Sequence, residues 1–423
     1  MATAALAAAS SSTLPTAPPI PSAFTESLKS WWSTGEKNSA ISEERLLRRL
    51  PFYTPDPAHP TDPSSPVVAH RQRVDLTKPG HYLNTVAIKS TKTSEDAPPP
   101  AIMLHGYGAG LGFFYRNFPA LADWVAQRQS AVYALDWLGM GRSARVPFSV
   151  KAKRTDVHGR VTESESFFVD SLEDWRAKMG LEQMTLIGHS LGAYFSVVYA
   201  LKYPERVNKL ILISPAGVPR GPEGDPSREV TDVEPAGEAP AQAATKAKIQ
   251  EIQAEQQQVK KSQSRQRKVF SYLWEQGWSP FQVVRSFSVW APMVVAQYSS
   301  RRFTGLSEEE TREMHDYILN ITLAKGSGEY CISHILAPGA HARMPLVDRI
   351  SALKIPVTFI YGEHDWMDPR GGEDSVERLR QAGNGQGRMY VVGRAGHHVY
   401  LDNPKAVNDL LMKELDRPVS AKA

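Results

Sequence analysis

The chain has 423 residues, of which 41% are hydrophobic and 22% charged, and its formal net charge at pH 7 is +4. This composition is typical of a globular protein with a sizeable core, and the small net charge gives no argument for nucleic acid as a partner. The single cysteine, Cys331, excludes an internal disulfide framework and a cysteine-based zinc cluster. No uncharged apolar run reaches the roughly 20 residues that a membrane-spanning helix needs.

The N-terminal part of the chain is unlike the rest in composition. Residues 1–23 are rich in Ala, Ser, Thr and Pro and contain no charged side chain, so we predict that residues 1–25 are disordered. Two roles stay open: the lack of acids fits a mitochondrial targeting segment, and the lack of Arg favours a plain tail. Ser42–Leu50 begins with a capping residue followed by two acids, which predicts a short amphipathic helix, and residues 51–66 form a proline-rich linker.

From about residue 67 onward, short apolar segments alternate with helical patterns. The predicted strands are 83–89, 101–104, 131–135, 184–187, 210–213, 357–361 and 389–392. The predicted helices are 118–127, 164–179, 191–202 and about 403–415. Short apolar strands that alternate with helices predict an α/β fold with a mainly parallel central sheet and helices on both faces.

This alternation stops between about residues 215 and 355. Residues 219–244 are acidic and rich in Pro, Gly and Ala, residues 245–268 are basic, and an apolar, aromatic stretch follows at 270–298. An insertion between two strands predicts a helical cap. The charged part is either a solvated helix and linker or a segment whose basic half meets anionic lipid.

The strongest local motif is GHSLG at residues 188–192. It follows a predicted strand and opens a predicted helix, and glycines two positions either side of Ser190 allow the strand and helix backbones to approach closely. A serine on such a turn is typical of a nucleophile, which needs a base, an orienting acid and donors for the developing oxyanion.

The acid and the base are expected after the last two predicted strands, in that order. The loop after residues 357–361 offers Asp365, which we favour as the acid, with Asp368 as the alternative and Glu363 third. His397 follows the last strand and is the candidate base. The neighbouring His398 is interpreted as a packing or supporting residue.

Two backbone N–H groups are candidates for the oxyanion hole. One belongs to Leu191, directly after the nucleophile, and the other to Tyr107, in the glycine-rich turn after residues 101–104. The later segment DWLGMGRS, residues 136–143, is interpreted as a structural turn.

Together these motifs resemble a known family. The motifs are HGYGAGLGFFYRN, DWLGMGRS, GHSLGAY, YGEHDWMDP and GHHVYLDNP. They are similar to those of the α/β-hydrolase lipid enzymes, a group that contains the fungal cardiolipin-specific deacylase and the mammalian N-acyl-phospholipid hydrolase and lipid-droplet coactivator relatives. The resemblance runs from about residue 40 to 416 and leaves out most of 219–268.

The resemblance implies an α/β-hydrolase fold with a helical cap inserted before the acid-bearing strand. The expected organisation is a leader (1–25), an N-terminal helix and linker (26–66), the first part of the core (67–215), the charged insertion and cap (216–350), the second part of the core (351–416) and a tail (417–423).

The resemblance also bears on activity. Some relatives have Asn in the elbow and lack hydrolysis, so Ser190 implies hydrolytic competence. The family's His-x4-Asp motif, here His397 to Asp402, is linked to lysophosphatidic acid acyltransferase activity. The alternative interpretation is that Asp402 caps the helix that follows it.

We therefore expect a serine-dependent phospholipid deacylase, a carboxylic ester hydrolase that acts at an anionic membrane surface and remodels acyl chains of cardiolipin or other phospholipids. No metal or redox cofactor is expected, and the oligomeric state stays open. The alternatives are an acyl-CoA-dependent lysophosphatidic acid acyltransferase and a non-catalytic lipid-droplet or lipase-regulating scaffold. The expected location is the mitochondrial inner membrane, with the cytoplasm or lipid droplet as alternatives.

Other side chains have two interpretations each. Trp31 and Trp32 either anchor at a bilayer or pack the N-terminal helix. Arg343 and Arg349 either hold a phosphate or form ion pairs. Seven apolar residues of the predicted cap also have two interpretations: they either line a groove for an acyl chain or form the hydrophobic core of the cap. They are Phe281, Val284, Phe287, Val289, Trp290, Met293 and Val294.

Overall fold

The structure is a computed structural model that describes residues 14–56, 62, 64–221, 272–303 and 305–419. The predictions for residues 1–13 and for most of the charged insertion therefore fall outside the described residues. The chain divides into two compact units. The first unit comprises the described residues within 1–100, 108–147 and 280–329, and the second comprises those within 101–107, 148–279 and 330–423.

Within its described residues, the first unit contains three antiparallel strands in the order β1-β2-β4. These are β1 (Val67–Asp75), β2 (Tyr82–Ser90) and β4 (Ala131–Leu135). Its helices are α1 (Phe24–Ser33), α2 (Glu36–Leu47), α3 (Phe118–Arg128), α6 (Pro280–Ser286), α7 (Ala291–Arg302) and α8 (Glu308–Leu323). The predicted strands at 83–89 and 131–135 and the predicted helix at 118–127 are confirmed.

The N-terminal helix prediction was wrong in its bounds. Helix α2 begins six residues before the predicted start, and Ser42 lies inside it, where its hydroxyl donates to the carbonyl of Ser39 instead of capping. Helix α2 packs on α8, where Arg45 pairs with Asp316 at 2.9 Å. Polar faces that become buried only against another helix leave no clear hydrophobic periodicity, which is why this helix was mispredicted.

The described part of the second unit contains five parallel strands in the order β3-β5-β6-β7-β8. These are β3 (Ala101–Leu104), β5 (Met184–His189), β6 (Val207–Ile213), β7 (Val357–Gly362) and β8 (Gly387–Val392). Its helices are α4 (Val157–Lys178), α5 (Leu191–Lys202), α9 (Ile332–Ile335), α10 (Arg370–Gln381), α11 (Val399–Asp402) and α12 (Pro404–Asp416). The mainly parallel α/β architecture is confirmed.

Parallel pairing brings the carboxyl ends of these strands together. Leu104 at the end of β3 pairs with Gly188 in β5, and Ile213 at the end of β6 pairs with both His189 and Ile360. The loops that leave these strand ends therefore share one edge of the sheet, which is where ligands bind in α/β proteins. Within the described residues, no helix is both long and apolar enough to cross a membrane.

Candidate active site

Ser190 occupies a sharp turn between β5 and α5. Its φ is 53° and its ψ is −116°, a left-handed conformation that non-glycine residues rarely adopt. The flanking glycines are required by close approach: a Cβ on Gly188 would lie 2.6 Å from Cα of Ala193, and one on Gly192 would lie 2.5 Å from the carbonyl oxygen of His105. The chain therefore holds a strained serine at the sheet edge.

His397 links Ser190 to Asp365. Its Nε2 lies 3.0 Å from Ser190 Oγ, and its Nδ1 lies 2.9 Å from Asp365 Oδ1. Ser190 and Asp365 are buried, and Asp365 Oδ1 also accepts the backbone N–H of Met367 at 3.0 Å. This is the hydrogen-bond order that a serine nucleophile, a general base and an orienting carboxylate require.

The loops that carry the acid and the base are bonded to each other. The N–H of Glu363 donates to Val392 and that of His364 donates to Ala395, both at 2.9 Å. A Cβ on Gly362 would overlap the carbonyl oxygen of Gly396, so glycine is needed where the loops cross. These contacts set the Asp365 carboxylate against the His397 imidazole.

The other two acid candidates have different partners. Asp368 accepts hydrogen bonds from the guanidinium of Arg370, the shortest at 2.6 Å. Glu363 accepts the backbone N–H of Arg394 at 2.7 Å. Of the three, Asp365 is the one that the structure places in hydrogen-bond contact with His397.

The turn with Tyr107 lies directly against the nucleophile. A Cβ on Gly106 would lie 2.8 Å from Cβ of Ser190, so the backbone passes Ser190 more closely than a residue with a Cβ could. Tyr107 follows this contact, and Leu191 is the first residue of α5. Their N–H groups stay our candidates for the oxyanion hole.

Asp402 does not cap the following helix, so that interpretation was wrong. The N-cap of α12 is Asn403, whose side chain accepts the N–H of Ala406 at 3.3 Å. Asp402 Oδ2 instead accepts the N–H of Gly396 at 2.9 Å. Gly396 precedes His397, so Asp402 acts on the loop that carries the base.

His189 contacts His397, which the sequence did not predict. Its Nε2 lies 3.0 Å from the carbonyl oxygen of His397, and the centres of the two rings are 4.8 Å apart. His398 and Tyr400 also pack against the His189 ring. His189 lies between Gly188 and Ser190, a position at which the elbow motif allows any residue. The motif therefore could not predict its contact with His397.

Trp366 was also missed. Its ring centre lies 4.9 Å from that of His397, and 56% of the residue is exposed. An exposed aromatic side chain beside the base covers one side of the imidazole and presents an apolar surface to solvent.

In the first unit, Asp136 holds the glycine-rich segment that follows Tyr107. Its carboxylate accepts the N–H of Leu111 at 2.7 Å, the N–H of Arg142 at 2.8 Å and the amide of Asn84 at 2.9 Å. Arg142 also pairs at 2.8 Å with the fully buried Glu43, whose pKa is raised to about 7 by burial. Residues 136–143 are thus structural, as interpreted from the sequence.

Arg343 and Arg349 both form ion pairs in the structure. Arg349 donates to both carboxylate oxygens of Glu165, at 2.6 and 3.1 Å. Arg343 donates to both oxygens of Glu275, at 2.9 and 3.0 Å. Within the described ranges, no group of three or more His, Cys, Asp or Glu side chains is arranged to hold a metal ion.

The geometry defines a serine hydrolase-type site on an α/β hydrolase fold. The sequence profile of the "alpha/beta hydrolase fold" family matches residues 99–404. The chain therefore belongs to the α/β hydrolase family, and its relatives include ABHD5 and the (lyso)-N-acylphosphatidylethanolamine lipases. The family suggested by the motifs is confirmed.

Among these relatives, the "1-acylglycerol-3-phosphate O-acyltransferase" of Arabidopsis thaliana is 32% identical over 382 residues, 88% of this chain and 79% of the relative. The "(Lyso)-N-acylphosphatidylethanolamine lipase" of Mus musculus is 32% identical over 314 residues, 73% and 77% of the two chains. The human "1-acylglycerol-3-phosphate O-acyltransferase ABHD5" is 27% identical over 385 residues, which are 89% of this chain and 88% of the relative.

Solved structures agree on the fold. Carboxylesterase CesB from Bacillus subtilis superimposes with a TM-score of 0.50 at 17% identity, covering 90% of this chain and 98% of the esterase. A putative hydrolase from the same organism has the same TM-score and identity, with 90% and 99% covered.

Proposed function

We propose that the protein is a serine-dependent phospholipid acyl hydrolase that acts at a membrane surface. The observation that carries this proposal is the continuous hydrogen-bond chain from Ser190 through His397 to Asp365. Its named relatives fit a lipid-modifying α/β hydrolase, and one of them is named as a phospholipid lipase.

The proposed reaction is a two-step acyl transfer. His397 Nε2 takes the proton of Ser190 as the hydroxyl oxygen attacks the ester carbonyl. Asp365 holds the proton on Nδ1 and stabilises the imidazolium that forms. The oxyanion of the tetrahedral intermediate accepts hydrogen bonds from the backbone N–H groups of Tyr107 and Leu191. His397 then protonates the departing lysolipid, and water, activated by the same base, releases the fatty acid from Ser190.

Acyl transfer to a lysophospholipid is the second candidate. Several relatives are named 1-acylglycerol-3-phosphate O-acyltransferases, and a lysolipid hydroxyl that replaces water in the second step would be acylated by the same residues. In this scheme Asp402 holds the loop of His397 and does not touch the acceptor. A non-catalytic scaffold is disfavoured because it has no need for the strained conformation of Ser190.

Contact with a membrane is proposed from the surface of the first unit. Helix α1 packs on the segment that begins α7, with Phe24 and Trp290 rings 4.5 Å apart. Trp32 is 81% exposed and Trp290 is 50% exposed. Exposed aromatic side chains grouped on one unit are typical of surfaces that insert into a lipid interface.

Cardiolipin as substrate and the mitochondrial inner membrane as location rest on the resemblance of the motifs. Imaging of the full chain beside a chain without residues 1–25 tests the location. A mitochondrial signal that is lost on removal supports it, and identical non-mitochondrial signals reject it.

The decisive experiment compares the protein with Ser190→Ala on liposomes of cardiolipin, phosphatidylethanolamine and lysophosphatidic acid. Lipid products are measured by mass spectrometry, with and without acyl-CoA. If the unchanged protein forms lysolipid and fatty acid without acyl-CoA and Ser190→Ala does not, the protein is a hydrolase. The identity of the lysolipid then shows which headgroup it accepts. Phosphatidic acid formed only with acyl-CoA favours the acyltransferase. Products that persist in Ser190→Ala reject both.

A further inference from the structure

Three arginines of the second unit converge beside helix α9. Arg160 on α4 and Arg343 both donate to one backbone oxygen, that of Ser333, at 3.3 and 3.2 Å. Arg154 donates at 2.9 Å to the carbonyl of Glu275, whose carboxylate binds Arg343. Two guanidinium groups that share one acceptor repel each other, so an unusual amount of positive charge is gathered here.

Arg160 is the most confined of the three. It is only 8% exposed, and its contacts are the carbonyls of Arg154 and Ser333 and the imidazole Nδ1 of His334. Among the described residues, no carboxylate lies within ion-pair distance of Arg160. A buried cation normally has an anionic partner, because removing its charge from water is costly.

The neighbouring groups do not neutralise this charge. Glu275 already forms the bidentate pair with Arg343, and Glu163 accepts the backbone N–H of Lys151. Burial, followed by the charges of Arg160 and Arg343, lowers the pKa of His334 to about 4, so this imidazole is neutral. Ser333 Oγ is buried and has no hydrogen-bond partner in the described part of the chain, which leaves one more donor in the cluster.

The cluster is joined to the active site by a short series of backbone contacts. The carbonyl of Ser190 accepts the N–H of Ala216 at 3.1 Å, and the next residue, Gly217, lies against Ala342. The carbonyl of Gly217 also accepts the N–H of Leu346 at 3.0 Å. Arg343 follows Ala342, so this arginine belongs to a segment that packs on the loop behind the nucleophile.

We propose that Arg154, Arg160 and Arg343 form a binding site for a phosphate group. Guanidinium groups bind phosphate oxygens through paired, charge-assisted hydrogen bonds, and a phosphate would supply the anion that Arg160 lacks. The phosphate comes either from the headgroup of a lipid substrate or from a free phosphate ion. The first source rests on the proposed function and deepens it, because it makes the site selective for phosphate-bearing esters.

Binding is measured on the full chain carrying Ser190→Ala, so that no turnover is needed. The probes are a water-soluble short-chain 1-acylglycerol-3-phosphate, the uncharged monoacylglycerol of the same chain, and inorganic phosphate, each titrated by calorimetry. We expect the phosphate-bearing lipid to bind at least tenfold more tightly than the uncharged one. We expect Arg160→Gln to remove that difference.

Arg154→Gln is the companion variant, because Arg154 is exposed and its loss leaves the buried contacts in place. It is expected to weaken binding of the phosphate-bearing lipid about threefold to tenfold, with its unfolding temperature unchanged. Arg380→Gln is the matched control, since Arg380 is an exposed arginine paired with Glu377 outside the cluster. It should leave binding unchanged.

The outcomes separate the sources. Tight binding of the lipid with weak inorganic phosphate binding assigns a headgroup site, and similar binding of both assigns a general phosphate site. The proposal is overturned if the charged and uncharged lipids bind with equal affinity. It is also overturned if Arg160→Gln and Arg154→Gln both bind the phosphate-bearing lipid as tightly as the parent protein does. This assay measures binding and not hydrolysis. Phosphate binding can therefore be confirmed even if the protein proves not to be a hydrolase, and hydrolysis can be confirmed even if no phosphate binds to the arginines.

Discussion

Asp402 Oδ2 accepts the backbone N–H of Gly396 at 2.9 Å, which ties the residue five positions after His397 to the residue directly before it. The loop of the base is thus closed by a charge-assisted hydrogen bond. From this contact we expect Asp402 to position the loop of His397, a role that under the proposed function serves water and lysolipid acceptors equally.

Asp402→Ala should lower hydrolysis and acyl transfer by the same factor, roughly twofold to tenfold. Asp402 is exposed, so solvent screens its hydrogen bond, whose contribution is about 0.5–1.5 kcal/mol, and the loss of that bond lets the loop of His397 move. Both rates are measured on one protein preparation. Acyl transfer that falls while hydrolysis is retained would show that Asp402 acts on the acceptor instead.

Asp365→Asn should reduce kcat about 10⁴-fold, because an amide no longer holds the His397 tautomer or stabilises the imidazolium. Asp368→Asn is the matched control: the same change in the same loop removes only the pair with Arg370 and should alter kcat less than about threefold. Hydrolysis of a soluble short-chain ester measures both. The opposite ranking would make Asp368 the acid.

His189→Leu should lower kcat roughly fivefold to tenfold with little change in KM, because the contact from Nε2 to the carbonyl of His397 is lost. His189→Gln retains a donor on a flat side chain and should restore part of the rate. A pH profile of kcat is the additional measurement, since displacement of His397 changes the pH dependence as well as the rate. Equal rates in wild type and His189→Leu would exclude a positioning role.

Gly106→Ala should reduce hydrolysis by more than 100-fold. The added methyl group would lie 2.8 Å from Ser190 Cβ and 2.9 Å from His189 Nδ1, so the turn must move away from the nucleophile. Gly385→Ala is the control, because nothing lies within 4 Å of a Cβ built there. The rate of Ser190 labelling by a fluorophosphonate measures the loss, and normal labelling of Gly106→Ala would contradict the placement of this turn.

His315 should make the protein less stable in acid. Burial lowers its pKa from 6.5 to about 4, so between these values the unfolded chain binds the proton more tightly and the free energy of unfolding falls as pH decreases. The full contribution is of the order of 3 kcal/mol. Urea unfolding at pH 7 and pH 4.5 should show a smaller pH dependence in His315→Gln. An unchanged dependence would mean that the pKa of His315 is the same in the folded and unfolded chains.

Much of the architecture was predictable because it depends on short-range patterns. Short apolar strands that alternate with helices predicted the parallel strands β3, β5, β6, β7 and β8. The elbow around Ser190 was predictable since close backbone approach permits only glycine at fixed offsets. Helix α1 and the start of α2 were missed. The start of α2 is a polar segment that becomes helical through packing in the first unit.

The sequence by itself determined the fold class, the elbow and the order of the acid and base candidates, because backbone sterics and strand periodicity are local properties. Only the tertiary structure decided which carboxylate faces His397, since Asp368 is held by Arg370 and Asp365 is not. Only the tertiary structure also decided that His189 contacts His397. It likewise brought together the arginines near Ser333, which are Arg154, Arg160 and Arg343. Such contacts join residues far apart in the chain, and their energies depend on burial and neighbouring charge, which no local pattern records.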